Sequence, residues 1–266
     1  MTSGVAVTKM HGARNDFIVL DRRVHIVEDL VGFARWACDR HVGIGADGVL
    51  AIESSRVADA RMRVINADGS EAEMCGNGIR CVARYLDEHG EGDRLRIETL
   101  AGIIETAVVA HDPEYLVRVD MGIPRSDDRR IDIADSAFVD MGNPHVVLTR
   151  AALDDVDLAA TAAHLASSPS FPDGTNVHVS VTQDRRTLRV RHFERGVGFT
   201  QACGTGAVAS AVAAITAGVV ESPVTVHVPG GTLVIEWAGP GSRAYMTGPT
   251  VRVFETTIGV PETAHA

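Results

Sequence analysis

Two tetrapeptides carry the clearest chemical signal in this chain: Cys75-Gly76-Asn77-Gly78 and Cys203-Gly204-Thr205-Gly206. Each is followed by a stretch that reads as a helix, 79–88 in the first case and 207–217 in the second. A cysteine at the first turn of a helix meets free backbone N–H groups and the positive end of the dipole. Both thiols are therefore expected to ionise more readily than an ordinary cysteine. The glycines let a ligand approach the backbone closely. Two such thiols suit inversion of a carbon centre: one, as thiolate, removes the α-proton, and the other, as thiol, delivers a proton to the opposite face. An α-proton is a far weaker acid than a thiol of pKa ~8.5. The site must therefore also stabilise a carbanion with fixed N–H dipoles and keep water out. The ordinary role of a buried cysteine is that of a small hydrophobe, and Cys38 and Cys81, each inside a helical stretch, fit it.

The elements that position these cysteines come in two copies. Residues 75 and 203 lie 128 positions apart, and the same spacing pairs Asn15 with Asn143 and Ile18-Val19-Leu20 with Val146-Val147-Leu148. It also pairs Asp29-Leu30 with Asp157-Leu158, Val49 with Val177 and Arg63 with Arg191, whereas Ala166 and Ala209 stand opposite Cys38 and Cys81. Matches held in register over such a length mark a duplicated unit. In each copy a short β-branched run reads as a strand (17–20, 145–148), and an Asp-led stretch reads as a helix (29–39, 157–166). Alternating stretches at 61–65 and 188–193 read as half-buried strands. Further strands follow at 95–110 and 223–237, broken at Gly102 and at Gly230-Gly231, and one more per copy at 115–120 and 243–247. The expected fold is thus mixed, with two sheet-rich domains that each hold a central helix. The polar stretch 126–130 after Pro124 marks the boundary between domains spanning 1–124 and 125–250.

Composition narrows the function. The net charge of −10 argues against a nucleic-acid surface. The N-terminus lacks a basic segment followed by an apolar run, so no signal peptide is expected. The apolar run 207–220 is too short for a membrane span, and a cytoplasmic location follows. Four cysteines without paired CxxC spacing suggest neither a disulfide scaffold nor a zinc site, so no metal is expected. The sole lysine, Lys9, lies in what reads as a short polar N-terminal segment. A pyridoxal-phosphate enzyme needs a Schiff-base lysine, so inversion of an amino acid here is expected to need no cofactor.

Five segments, MHGARNDFIVLD, NADGSEAEMCGNGIRC, MGNPHVVL, GTNVHV and ERGVGFTQACGTGA, occur in an order that resembles the diaminopimelate epimerase family along nearly the whole chain. The resemblance implies an α+β fold of two pseudo-symmetric domains, each a strand barrel around a central helix, with the active site in the cleft between them. It implies that a last strand near 251–254 returns to the first domain, so that 251–266 belongs with 1–124. It also implies epimerisation of LL- to meso-diaminopimelate, serving lysine and peptidoglycan biosynthesis, with a homodimer as the candidate assembly. Position by position, Cys75 and Cys203 match the catalytic cysteines, His145 the histidine beside the catalytic centre, and Glu194 and Arg195 the pair at the distal end of the substrate. Asn15, Asn66, Asn143 and Asn176 match substrate-binding asparagines. Gly76-Asn77 and Gly204-Thr205 match the backbone cradles for the α-carboxylate.

The residue types agree with those roles. A zwitterionic distal head group wants a cation, amide groups and an anion, and Arg195 can hold a carboxylate bidentately. Asn66 and Glu194 are partners at the 128 spacing, as are Gly48 and Asn176. The repeat is thus symmetric at the reacting centre and asymmetric around it, as a substrate with one reacting and one merely recognised stereocentre requires. Outside that context an Asn in NADG or GTN is a turn former, Glu194-Arg195 an exposed ion pair and His145 a core histidine. Arg14 replaces the glycine usual in the family before Asn-Asp-Phe, adding charge near Asn15. Phe199 replaces the usual glutamate, removing charge near Cys203. Both bear on the substrate rather than the reaction. The competing readings are a proline-racemase-like or other amino-acid racemase using the same two cysteines, and a non-catalytic amino-acid binder. Which cysteine rests as the thiolate stays open, because paired thiols titrate jointly.

Overall fold

The computed structural model describes residues 4–127 and 129–259. The chain forms two compact units, Met1–Val119 with Pro249–Ala266, and Asp120–Gly248. The divisions fall a few residues before the polar stretch 126–130 and at Gly248/Pro249. Residues 260–266, at the end of the C-terminal segment expected in the first domain, lie outside the described residues.

In the first unit the order is β1 (Val5–Gly12), β2 (Asn15–Asp21), α1 (Leu30–Cys38), β3 (Gly48–Glu53), β4 (Ala60–Asn66), β5 (Glu71–Ala72), α2 (Gly76–Glu88), β6 (Arg94–Thr99), β7 (Gly102–Ala110) and β8 (Leu116–Asp120). In the second it is β9 (Ser136–Asp140), β10 (Pro144–Thr149), α3 (Leu158–Ala166), β11 (Asn176–Asp184), β12 (Thr187–Glu194), β13 (Gly198–Thr200), α4 (Gly204–Thr216), β14 (Val224–Val228), β15 (Gly231–Trp237) and β16 (Ala244–Pro249). A final strand, β17 (Val251–Ile258), runs antiparallel to β1, as the family resemblance implied.

Pairing repeats as faithfully as order. The β2–β3 and β10–β11 pairs are parallel, with Phe17 opposite Gly48 in one and His145 opposite Asn176 in the other. In the antiparallel β4–β5 and β12–β13 pairs, Val64 faces Ala72 and His192 faces Thr200. All four matches preserve the 128 spacing residue for residue. A one-residue slip would turn every side chain to the other face of the sheet, so equivalent residues of the two units point the same way.

Each unit wraps its strands around one helix. Within the first, α2 packs on β1, β2, β3, β4 and β7; within the second, α4 packs on β9–β12, β14 and β15. Helix α4 is apolar nearly all round and buried from Gly204 to Val212 apart from Thr205, as a helix sheathed by strands must be. The shorter helices lie outside, α1 on β3 and β4 and α3 on β11 and β12. Asp29 and Asp157 cap them, accepting from Gly32 N at 2.8 Å and Ala160 N at 3.0 Å.

Candidate active site

Both central helices begin three residues earlier than the sequence suggests, at Gly76 and Gly204, because the cysteines themselves are the caps. Cys75 and Cys203 adopt extended backbone, and each sulfur accepts the N–H of the residue three positions on, Gly78 or Gly206, at 3.4 Å in both cases. Glycine is too poor a helix former to extend a helix by propensity; the capping sulfur supplies the missing signal. In α4 the N–H groups of Gly206 and Ala207 are taken by Cys203, leaving those of Gly204 and Thr205 without an acceptor among the described residues. Those two donors at a helix N-terminus can hold a carboxylate.

Around Cys75 the candidates close up. Its thiol donates to Asn15 Oδ1 at 3.6 Å, and Asn77 Nδ2 donates to the same oxygen at 3.3 Å. Asn15 Nδ2 in turn donates to Asp47 at 2.7 Å. Asn77 is buried, its Oδ1 accepting from Arg80 at 3.0 Å, so its side-chain amide serves the turn itself. Arg80 is fully buried and also donates to the carbonyl of Gly76 at 3.0 Å. Burial pulls its pKa down, opposed by the sulfurs of Cys81 and Cys75. The sequence signal for Arg80 is a charge inside a central helix where the repeat has Val208 at the equivalent place. Asn66, at the end of β4, donates from its amide to Ser70 Oγ at 2.9 Å.

In the second unit the environment differs. Cys203 is buried, and its pKa is pushed well up, first by burial and then by the Glu194 carboxylate beside it; the Thr205 hydroxyl and the Gly206 N–H oppose this. The expectation of a readily ionised thiol fails here because desolvation outweighs the helix terminus. His145, also buried, joins a chain of imidazoles. Its Nε2 lies 2.8 Å from Asn143 Oδ1 and its Nδ1 2.8 Å from His178 Nε2; His178 Nδ1 lies 2.9 Å from His192 Nδ1. Burial is the chief cause that lowers all three, His145 and His192 to about 3. His178 stood in a quoted motif, and His192 alternates with the buried Val190 on β12, but nothing in the sequence announced their contact.

Asn176 spends its amide on the scaffold, donating to the carbonyl of Pro144 and accepting the N–H of Arg195, both at 3.0 Å. That bond holds the Glu194-Arg195 turn. The exposed Arg195 side chain donates to the carbonyl of Asp173 at 2.8 Å and lies against Gly174, where an added Cβ would come within 3.2 Å of its Cδ. The remaining guanidinium nitrogens make no hydrogen bond among the described residues.

Two expectations are corrected, those for Lys9 and Phe199. Lys9 is no loose terminal residue: it lies on β1, paired with Asp16 and the carbonyl of Gly45. Arg14 occupies a left-handed conformation (φ 64°) beside Ala13 (φ 51°) in the β1–β2 hairpin turn, where glycine would be unstrained. Phe199 faces Phe193 across β12–β13, its ring edge-on at 5.2 Å under the Arg191 guanidinium. Strand alternation therefore puts it on the face opposite His192 and Glu194, away from that carboxylate. A surface groove lined by Arg129, Phe138 and Thr216 lies at the far end of α4 from Cys203, so it is not this site.

The fold is one shared with solved structures of distant sequence. The chain is similar to a PhzF-family phenazine biosynthesis protein from Bacillus anthracis (TM-score 0.73, 18% identity, 97% of this chain and 100% of the other). It is also similar to a hydroxyproline epimerase from Agrobacterium vitis (TM-score 0.69, 14% identity, 99% and 96%). The family model described as diaminopimelate epimerase matches residues 7–126 and 137–253, and the chain belongs to this family. Diaminopimelate epimerases of Rhizorhabdus wittichii and Azoarcus sp. are 44% and 41% identical to it over 263 and 278 residues, with at least 92% of each chain covered.

Proposed function

We propose that this chain interconverts LL- and meso-diaminopimelate by a cofactor-free, two-thiol proton transfer, acting in the cytoplasm for lysine and peptidoglycan biosynthesis, with a homodimer as its assembly. The observation that carries the reading is the matched pair of cysteine-capped helices, one per repeat, in a member of this family.

In this reading the α-carboxylate lies on the N–H groups of Gly204-Thr205 and Gly76-Asn77, and one sulfur addresses each face of the α-carbon. Base and acid are distinguished by their surroundings. A fully buried guanidinium, Arg80, underlies the Cys75 turn, and the equivalent residue under Cys203 is Val208. Desolvation and the neighbouring Glu194 carboxylate keep the proton on Cys203. The thiol contact from Cys75 to Asn15 Oδ1 is a weak one against a charge in low dielectric. Cys75 thus rests as the base and Cys203 as the acid, and one turnover leaves them exchanged. His145 and Glu194 support Cys203. Arg195 takes the distal carboxylate, with Asn15, Asn66 and Asn143 offering amides around the distal head group and Asn176 setting the Arg195 turn.

The test is α-proton exchange in deuterated water over a panel of diaminopimelate, proline, hydroxyproline and glutamate. Label should enter diaminopimelate alone, without added pyridoxal phosphate or metal, and Cys75→Ala and Cys203→Ala should each abolish turnover in both directions. Exchange into proline or hydroxyproline instead would favour the racemase reading, and a cysteine variant that keeps its rate would end the two-thiol mechanism.

A further inference from the structure

Three neutral imidazoles in a line can share their protons in only two ways. Each has one N–H and one bare nitrogen, and the line makes three hydrogen bonds: Asn143–His145, His145–His178 and His178–His192. If every proton points outward, His192 Nδ1–H donates to His178, His178 Nε2–H to His145, and His145 Nε2–H to Asn143 Oδ1. The inner end is then a bare nitrogen. If every proton points inward, Asn143 must turn its amide to donate, and the inner end is an N–H. The inner atom, His192 Nε2, is buried and meets no hydrogen-bond partner among the described residues. A buried donor without an acceptor costs more than an unused lone pair, so the outward arrangement wins. It is also the one in which Asn143 Oδ1 faces the ring.

We infer that His178 and His192 are positioning residues that fix the tautomer of His145 and thereby turn the amide of half-buried Asn143 so that it offers N–H, not C=O, to the substrate. The Asn143 Nδ2 group makes no hydrogen bond among the described residues. Presented this way, it recognises a carboxylate oxygen and refuses an ammonium. The burial that holds all three rings neutral supports this, since a cationic ring would donate from both nitrogens and break the line. The line also abuts Cys203. A Cβ placed on Gly206, whose N–H binds the sulfur, would lie 2.5 Å from His178 Cε1 and 3.1 Å from Cys203 Sγ. In the first unit the residues equivalent to His145, His178 and His192 are Phe17, Leu50 and Val64, so the device belongs to one unit only.

The substrate part of this inference rests on the proposed function; the tautomers do not. Two-bond ¹H–¹⁵N spectra of histidine-labelled protein without substrate at pH 7 should show His145 and His178 as Nε2–H and His192 as Nδ1–H, all neutral. The reverse tautomers, or a cationic ring among the three, would overturn the inference. His178→Phe keeps a ring over Gly206 while deleting both nitrogens. It should raise KM for diaminopimelate about tenfold, the size of one lost hydrogen bond, with kcat within about threefold. His178→Gln, whose amide can donate to His145 and accept from His192, should recover most of that loss. A Phe variant with the parent KM, or a Gln variant no better than Phe, also overturns it. If the parent turns over no diaminopimelate, the functional reading fails while the spectra still decide the tautomers.

Discussion

Gly78 and Gly206 are equivalent residues of two turns capped in the same way, yet alanine should be tolerated at only one of them. A Cβ on Gly78 would come within 2.8 Å of Leu50 Cδ2, the free end of a side chain that can turn aside. A Cβ on Gly206 would meet His178 Cε1 at 2.5 Å and Nε2 at 2.8 Å. Ordinary carbon contacts lie at about 3.5–4.0 Å, so the imidazole or the helix turn must yield about 1 Å. The ring is pinned on both sides, by bonds of 2.8 and 2.9 Å to His145 and His192. Overpacking costs about 1–3 kcal/mol and a strained or lost hydrogen bond about 1 kcal/mol more, against about 1 kcal/mol returned by replacing glycine in a helix. Gly206→Ala should thus lose about 2 kcal/mol in urea unfolding, and Gly78→Ala should stay within about 1 kcal/mol of the parent. The activity gap should be larger, because a misplacement of about 1 Å at a reacting group can cost about a hundredfold. Proton exchange at the substrate α-carbon reads it directly. Equal tolerance at the two glycines, in stability and in rate, would refute the claim that the imidazole line rigidly backs the Cys203 turn.

Other substitutions probe the unequal thiols and the buried rings. Arg80→Met keeps the bulk under the Cys75 turn and deletes its charge; the rate of Cys75 alkylation by iodoacetamide near neutral pH should fall about tenfold. Glu194→Gln removes a carboxylate that raises the Cys203 pKa, so Cys203 should ionise at lower pH and the alkaline limb of the rate profile should move the same way. The three histidines have pKa values below the ordinary 6.5. For a depressed basic group, folding stability is present in full above the unfolded pKa and is lost as pH falls through the folded one. His145 and His192 should therefore each contribute up to about 1.4 kcal/mol per pH unit between about pH 6 and about 3. His192→Phe should lower the slope of unfolding free energy against pH by one proton in that window, and an unchanged slope would mean the ring is not buried neutral.

The duplication was legible in the sequence because register is read from spacing alone. Asn15 with Asn143, and Cys75 with Cys203, fall on equivalent ends of equivalent elements. Strands with β-branched runs, such as β2 and β10, were legible for the same reason. The short pairings β5 and β13 were not, since two or three residues carry no period. The cysteine caps are legible only in part: the pattern puts the thiols at the first turn, but sulfur is not among the favoured capping groups, so the starts at Gly76 and Gly204 carry no signal. Contacts between strands were wholly hidden. His178 sits on β11 and His192 on β12, and only their antiparallel pairing, with His178 opposite His192, brings the two rings together. The rise in the Cys203 pKa was hidden likewise, because a helix terminus is local and desolvation is not.

The residues behind the two turns explain how a duplicated chain departs from symmetry without losing it. At the backbone the copies are the same: a capping sulfur, an N–H at 3.4 Å, a glycine where the helix begins. Beneath it they have exchanged polar and apolar places. The first unit buries a cation, Arg80, in its helix and keeps Phe17, Leu50 and Val64 in its strands; the second keeps Val208 in its helix and buries His145, His178 and His192 in its strands. Identical turns allow either sulfur to take or give the proton, which a reversible inversion requires. Unequal backing decides which sulfur starts with it and which amide faces the part of the substrate that does not react. A single symmetric design could supply the first property but not the second, and a pair of unrelated turns could supply the second only by giving up the first.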